Sequence, residues 1–355
     1  MIVKNEAPVI RRCLDSVRPL IDRWVIVDTG STDGTQAIIR EHLKNLPGEL
    51  HERPWQDFAH NRSEALALAR PQADYSLIMD ADDTLVVPKG YRLPRLTADA
   101  YALDIDHGSI RYQRTQVVKN ALPWRYVGVL HEFLKCEGAG PAQRLPLLYR
   151  MHFDGARRRD PKTYARDAEV LERALKAETD PMLRARYTFY LAQSCRDCGE
   201  KKKALKRYLE RSGLGQWSEE VYVSLLEAAR LMEQLKERER NVIEAYRKAA
   251  AAAPHRAEAL HAGARYCREH KQYAQGYEFA KAGLRIPVPA DGLFVEAWVH
   301  EWGLLDELST NAYWAGHYRE SWEACQSLLA NPKVPAGQRG RIQANAGYAG
   351  AKLGG

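Results

Sequence analysis

Trp24-Val25-Ile26-Val27-Asp28-Thr29-Gly30-Ser31-Thr32-Asp33-Gly34-Thr35 decides how the first half of this chain folds. A short apolar run enters an acid and then a turn rich in Gly, Ser and Thr, which predicts a buried strand followed by a capped helix. Further on, Tyr75-Ser76-Leu77-Ile78-Met79 ends in Asp80-Ala81-Asp82-Asp83. Two strands of buried type therefore carry acids at their carboxyl ends, the edge of an open α/β sheet at which ligands bind. Three carboxylates within four residues repel one another unless water or a cation intervenes. That placement suits the polar face of a nucleotide, or a hard divalent cation held against phosphates.

Around these two runs, residues 1–150 alternate between strand-like and helix-like patterns, which predicts βαβ units and a largely parallel sheet. Met1–Lys4 reads as the end of a first strand, Pro8–Leu20 as a helix with apolar residues at helical spacing, and Leu50–Pro54 as a third strand. Arg62–Ala69 reads as a helix and Tyr75–Met79 as a fourth strand, with more strands at Ala100–Ile105 and Thr115–Lys119. From about Ala156 the strand signals fade into Ala-, Leu-, Glu-, Lys- and Arg-rich stretches. There an internal period governs the reading. Gly263, Tyr266, Phe279, Ala282 and Pro287 fall at tetratricopeptide spacing, and Tyr246, Ala249 and Pro254 precede the last three by 33 positions. Leu191, Ala192, Gly199, Ala204 and Tyr208 fit one unit earlier, Trp314–Pro332 reads as a degenerate fourth, and Gly213–Glu220 reads as an insertion. The expected division is a catalytic domain over 1–153, a basic linker over 154–178 and a helical repeat domain over 179–355.

The 355 residues, 45% apolar and 28% charged, indicate a soluble chain of two domains. No run approaches the roughly 18–20 apolar residues of a membrane span, and Met1-Ile-Val-Lys-Asn-Glu6 has no signal-peptide core, so a cytoplasmic location is expected. Six cysteines do not make a disulfide framework, and Cys195-Arg-Asp-Cys198 lacks the second pair of a zinc site. The net charge of +7 is uneven, since residues 1–150 hold 20 basic and 19 acidic side chains. The basic excess thus lies in the second half, where it reads as a solvated helical face or as a surface for an acidic partner.

Taken together, Met1-Ile-Val-Lys-Asn-Glu6, Asp28-Thr-Gly-Ser-Thr-Asp33, Phe58-Ala-His-Asn-Arg62, Asp80-Ala-Asp82 and Trp124-Arg-Tyr-Val-Gly-Val-Leu-His131-Glu132 resemble family 2 glycosyltransferases of the GT-A fold. The last segment is similar to a signature of bacterial members that carry tetratricopeptide repeats behind the catalytic domain. The resemblance implies an α/β GT-A domain followed by an all-α repeat domain. It implies metal-dependent, inverting transfer of a sugar from a nucleoside diphosphate, UDP-linked, with Mn²⁺ or Mg²⁺ as cofactor. Glu6, Asp28, Asp33, Arg62, Asp80 and Asp83 are then expected at the nucleotide sugar, with Asp28 near the base and Asp80 near the ribose. Asp82 is expected on the metal, with Asp80 and His152 as further ligand candidates. His152 also reads as a core or surface histidine.

Glu132 stands in the place of the catalytic base, which takes the acceptor's proton as the acceptor attacks the anomeric carbon. His131 reads as the base, a metal ligand or, first in rank, a partner orienting Glu132. Trp124 and Tyr126 read either as sugar-stacking rings or as core. Arg157, Arg158, Arg159, Lys162 and Arg166 read as a basic segment closing over the diphosphate, or as a charged helix start. The acceptor expected is a hydroxyl or thiol on a peptide, protein or glycan docked by the repeats, with DNA as an alternative and self-association a further use of the repeats. A repeat scaffold that binds a nucleotide sugar without transferring it is the rival reading, which the pair Asp82 and Glu132 disfavours.

Overall fold

A computed structural model of the protein describes residues 1–107, 110–289 and 292–354. The chain divides into two compact units, Met1–Lys176 and Ala177–Gly355.

Among its described residues the first unit carries ten strands: β1 (Ile2–Val3), β2 (Trp24–Asp28), β3 (Gly48–Glu52), β4 (Tyr75–Leu77), β5 (Thr84–Val86), β6 (Ala100–His107), β7 (Ile110–Lys119), β8 (Arg125–Val127), β9 (Phe133–Lys135) and β10 (Gln143–Arg150). Its helices are α1 (Ile10–Val17), α2 (Thr35–His42), α3 (Phe58–Ala69), α4 (Ala156–Arg159) and α5 (Thr163–Ala177). The expected largely parallel sheet is split. Strands β1-β2-β3 form a small parallel sheet, β4-β7-β6-β10-β5 a mixed one, and β8-β9 a separate hairpin. Within the mixed sheet only β10 and β6 run parallel, while β4 pairs antiparallel with β7. The predicted strand Tyr75–Met79 ends at Leu77 because Gln116 on β7 takes over Ile78: the Ile78 amide donates to the Gln116 carbonyl (2.7 Å) and the Gln116 side-chain amide to the Ile78 carbonyl (3.1 Å).

Helix α1 joins the two sheets because its apolar stripe is shared between them. Cys13 and Val17 enter the core of the mixed sheet with Leu103, Ile105 and Tyr149, whereas Ile10 and Leu14 enter the other with Ile26 and Ile39. A cavity of about 1150 Å³ remains between Trp24 and Val25 on one side and Tyr75 and Leu77 on the other.

Residues 154–176, expected as part of a linker, belong to the first unit. The reason is charge pairing: Arg12 grips Asp154 with both terminal nitrogens (2.8 and 2.7 Å), and Arg157 stacks over the Phe58 ring while pairing with Asp167.

The second unit is a helical array: α6 (Pro181–Asp197), α7 (Lys201–Ser212), α8 (Ser218–Gln234), α9 (Glu239–Ala252), α10 (Glu258–Glu269), α11 (Tyr273–Gly283), α12 (Leu304–Trp314), α13 (Tyr318–Ala330) and α14 (Ala336–Ala351). Leu191, Ala192, Ala204, Tyr208, Tyr246, Ala249 and Tyr266 are all buried, as the period requires. A Cβ added at Gly263 would lie 3.1 Å from the Phe279 ring, which explains the small residue there. Two expectations change. The insertion at Gly213–Glu220 is only the turn between α7 and α8, since Ser218–Glu220 already begin α8 so that Glu220 can meet the buried Arg211 (2.9 Å). The fourth helical pair begins at Leu304 rather than Trp314, after a longer interruption between α11 and α12 that the period does not announce. Cys195 is buried in α6 and Cys198 follows its end, exposed. No helix of the described residues is long and apolar enough to cross a membrane.

Candidate active site

Asp28 closes β2 and is 1% exposed. Its Oδ1 accepts the amides of Gly30 (2.9 Å) and Ser31 (2.8 Å), a side-chain turn that Gly30 completes at φ +106°, a conformation glycine adopts freely. The other oxygen, Oδ2, is buried with no hydrogen-bond partner. A buried acceptor in that state is costly unless a ligand donor meets it, so the turn alone does not account for Asp28.

Asp33 differs. Its Oδ1 accepts the amide (3.1 Å) and hydroxyl (2.6 Å) of Thr35, and its Oδ2 accepts the Ala7 amide (3.0 Å). Partial burial pushes its pKa up, but the Thr35 hydroxyl and these amides outweigh that and hold it below its ordinary value. Asp33 therefore secures the segment that carries Glu6, whose own amide donates to the Thr35 hydroxyl (2.9 Å). The Glu6 carboxylate in turn accepts the Ala156 amide at 3.2 and 3.1 Å. Burial, with Asp82 repulsion added, pushes Glu6 up to about 7 despite that bond.

The second acidic strand end is organised by Arg62. Asp57 caps α3 by accepting the His60 amide (2.8 Å), so the helix begins four residues before the predicted Arg62 and carries Arg62 inward. The β8-β9 hairpin docks on α3 where the Tyr126 amide donates to Ser63 Oγ (2.9 Å). Its loop turns through Gly128 at φ +106° and His131 at φ +52°, which delivers Glu132. One guanidinium then bridges two acids: Arg62 Nε lies 2.7 Å from Glu132 Oε1, and Arg62 Nη2 lies 2.5 Å from Asp80 Oδ1. Burial raises the Glu132 pKa while Arg62 opposes it, and the net direction is up. Asp80, also pushed up by burial, is held low by Arg62 and Arg114 and by the Tyr149 hydroxyl, which donates to Oδ2 at 3.4 Å.

Asp83 is 2% exposed and accepts the His152 amide (2.7 Å); burial pushes it up to about 7. His152 Nε2 lies 3.0 Å from the Thr84 hydroxyl, and burial together with the Arg12 charge lowers its pKa. Asp82 is half-buried, and burial and Asp80 both raise its pKa. Arg12, the cation beside it, directs its hydrogen bonds to the Asp82 carbonyl (2.6 Å) and to Asp154. Gly155 presses on Asp82, since an added Cβ would fall 2.3 Å from Oδ2.

The structure thus gathers Arg62, Asp80 and Glu132 directly, and ties Glu6, Asp82, Asp83 and His152 together through the segment 152–156. It does not form the expected ligand trio. Among the described residues no three His, Cys, Asp or Glu side chains converge as a metal-binding group, because Asp80 is paired with Arg62 and His152 Nε2 faces Thr84. Asp82 alone fits a hard cation: a crowded, half-buried carboxylate in a negative field, suited to Mg²⁺ or Mn²⁺ whose other ligands are phosphate oxygens and water. His131 is exposed in the left-handed region. The sequence reading missed Arg12, Arg114, Tyr149 and Gly155; only the Arg-rich run near Gly155 hinted at a segment folding back. The large cavity is lined mainly by apolar residues, and of the clustered side chains only Arg62 and Tyr126 reach its wall.

The first unit thus brings together a strand end with a buried acid, an Arg-bridged acid pair and a crowded Asp-x-Asp. Residues 1–160 match the model of Glycosyl transferase family 2, a stretch that lies within the first unit. Over 87 residues the chain is 40% identical to a TPR repeat-containing protein of Synechococcus elongatus, covering 24% of this chain and 20% of that one. It is 30% identical over 99 residues to a lipopolysaccharide core biosynthesis glycosyltransferase of Rhizobium meliloti, covering 28% and 36%. The matches therefore span between a fifth and about a third of these relatives' length. Among solved structures, a tetratricopeptide repeat protein from Parabacteroides merdae is similar with a TM-score of 0.39 and 16% identity, over 54% of this chain and 71% of that one.

Proposed function

We propose that this chain is a glycosyltransferase that moves a sugar, with inversion, from a UDP-linked donor to a hydroxyl or thiol on a peptide, protein or glycan. The observation that carries the reading is the Glu132–Arg62–Asp80 bridge, which holds a buried carboxylate of raised pKa beside the strand end that carries the Asp-x-Asp. Glu132 accepts the acceptor's proton as its oxygen or sulfur bonds to the anomeric carbon; the bond from that carbon to the diphosphate breaks, and the nucleoside diphosphate leaves with the electron pair. Arg62 keeps Glu132 ionised and oriented until then. Asp28 takes a donor N–H of the base on Oδ2, and Glu6 and Asp83 shape the donor cleft through the 152–156 segment. Asp82 would hold Mn²⁺ or Mg²⁺, which supplies Lewis-acid stabilisation of the departing diphosphate.

The test is release of nucleoside diphosphate from UDP-glucose, UDP-galactose and UDP-N-acetylglucosamine with Mn²⁺. Turnover should vanish in Asp82→Ala, and in Glu132→Gln it should fall by about 10²–10⁴-fold with donor binding retained. Near-normal turnover in Glu132→Gln would reassign the base. Donor binding with no turnover of any donor would favour the scaffold reading.

A further inference from the structure

In the later helices of the array two aromatic pairs stand in register. Tyr273 and Tyr277 are four residues apart on α11 and so share one face, about 6 Å apart along the axis. Between α12 and α13 the chain reverses through Gly316 at φ +88°, with the Gly316 amide donating to the Tyr313 carbonyl (3.1 Å) and the His317 amide to the Ala312 carbonyl (2.8 Å). That turn sets Trp314 and His317 opposite the two tyrosines. Tyr273 stacks on Trp314 (centroids 5.5 Å, planes 21° apart), and Tyr277 stacks on His317 (4.2 Å, 16°). Tyr277 is buried, whereas Trp314 is 61% exposed and His317 is exposed. Each outer ring is thus braced from behind and open in front. Tyr313 adds an edge contact to Trp314 at 5.3 Å, which fixes the indole further.

Polar groups lie beside the rings. Glu278, Lys281 and Arg285 line a shallow pocket of about 400 Å³ with Tyr277 and His317. The Tyr277 hydroxyl donates to Glu320 (2.9 Å), and Lys281 donates to Glu320 Oε1 (3.4 Å). The lining holds one acid and two bases, and Glu320, bonded to Tyr277 and Lys281 beside it, offsets the second base. A nucleic-acid groove would instead be strongly basic, and a protein-docking face would present a contiguous apolar patch that these charges interrupt.

We propose that Trp314 and His317 form a stacking platform for a neutral oligosaccharide, whose hydroxyls are met by Glu278, Lys281, Arg285 and Glu320. The C–H face of a pyranose ring is weakly positive and matches the electron-rich face of an indole, while charged side chains bond pairs of hydroxyls strongly. Stacking behind each ring removes the ordering that binding would otherwise cost. That the bound glycan is the acceptor rests on the transferase reading; the binding itself does not.

The experiment is calorimetric titration of the full chain with hexasaccharides of β-1,4-linked glucose, β-1,4-linked N-acetylglucosamine and α-1,4-linked glucose, with a 20-nucleotide oligo-dT as counter-probe. One or more hexasaccharides should bind. Trp314→Ala should weaken binding roughly tenfold with an unchanged melting temperature, and Trp314→Phe should retain most of it. Trp217→Ala, an exposed tryptophan at the α7–α8 turn, should have no effect. Binding of none of the hexasaccharides, binding of oligo-dT alone, or parental affinity in Trp314→Ala each overturns the proposal. So does a change of oligomeric state in Trp314→Ala by light scattering, which would make the face a self-association surface. Donor turnover is read separately through Glu132→Gln, so failure of the transferase reading and failure of the platform give different results.

Discussion

Two groups of buried charges in this molecule follow opposite rules. In the helical array Arg256 is 1% exposed and Glu258 0%, and their bond is doubled at 2.8 and 3.1 Å. Glu258 also accepts the Tyr222 hydroxyl (3.0 Å) and the Glu296 amide (3.1 Å), and although burial pushes its pKa up, Arg256 and backbone amides, that of Glu296 among them, bring it below the ordinary value. Every oxygen there has its partner. In the first unit, Arg62 serves two acids, and Glu6, Asp82, Asp83 and Glu132 are all left with raised pKa values by burial and crowding. Charge that is fully paired holds a fold together; carboxylates left short of cations mark a place where something else binds.

The contrast can be broken by substitution. Glu132→Gln should lower transfer by about 10²–10⁴-fold while leaving the melting temperature and donor affinity near parental values, as fluorescence titration with UDP-sugar would read. Arg256→Ala should do the reverse, costing about 3–5 kcal/mol in denaturant unfolding of the array because Glu258 is left buried without its cation, with donor affinity unchanged. Equal effects of both changes on stability would erase the distinction.

Gly155→Ala places a methyl group against Asp82. Relief of that overpacking, about 1–3 kcal/mol, should push the 152–156 segment off the acid and shift the apparent donor KM by roughly tenfold more than it shifts kcat. A large fall in melting temperature instead would make the segment structural.

Acidity gives a smaller, signed effect. Asp83 sits at about 7 in the folded chain against an ordinary value of 3.8, so the folded state holds a proton that the unfolded state releases. Stability from this group is present below the unfolded value and is lost as pH rises through the folded one. Without divalent cation, the melting temperature of the first unit should therefore decline from about pH 4 to pH 7, and Asp83→Asn should flatten that decline. Smallest of all, Asp180 caps α6 by accepting the amides of Met182 (2.8 Å) and Leu183 (3.0 Å), and Asp180→Ala should cost about 1 kcal/mol with no effect on turnover.

Much of this was legible in the residues. Trp24–Asp28 is a strand because four apolar residues precede an acid and a glycine turn, and the tetratricopeptide period places small and aromatic residues where helices meet. These are local patterns, and local patterns are written in sequence spacing. The mixed sheet was not legible: β10 lies beside β6 and β4 beside β7 through pairings between segments far apart in the chain. Nor was the fate of each acid. Asp28, Asp33, Asp80 and Asp82 are the same residue type at or shortly after the ends of β2 and β4, yet Asp33 satisfies its own loop, Asp80 is neutralised by Arg62, Asp28 keeps a bare oxygen and Asp82 lies under Gly155. Sequence by itself determined which carboxylates arrive at the sheet edge, since that follows from the strands that carry them. Tertiary structure alone decided which of them are already paired, because a carboxylate's charge state depends on cations and burial brought to it from elsewhere in the chain.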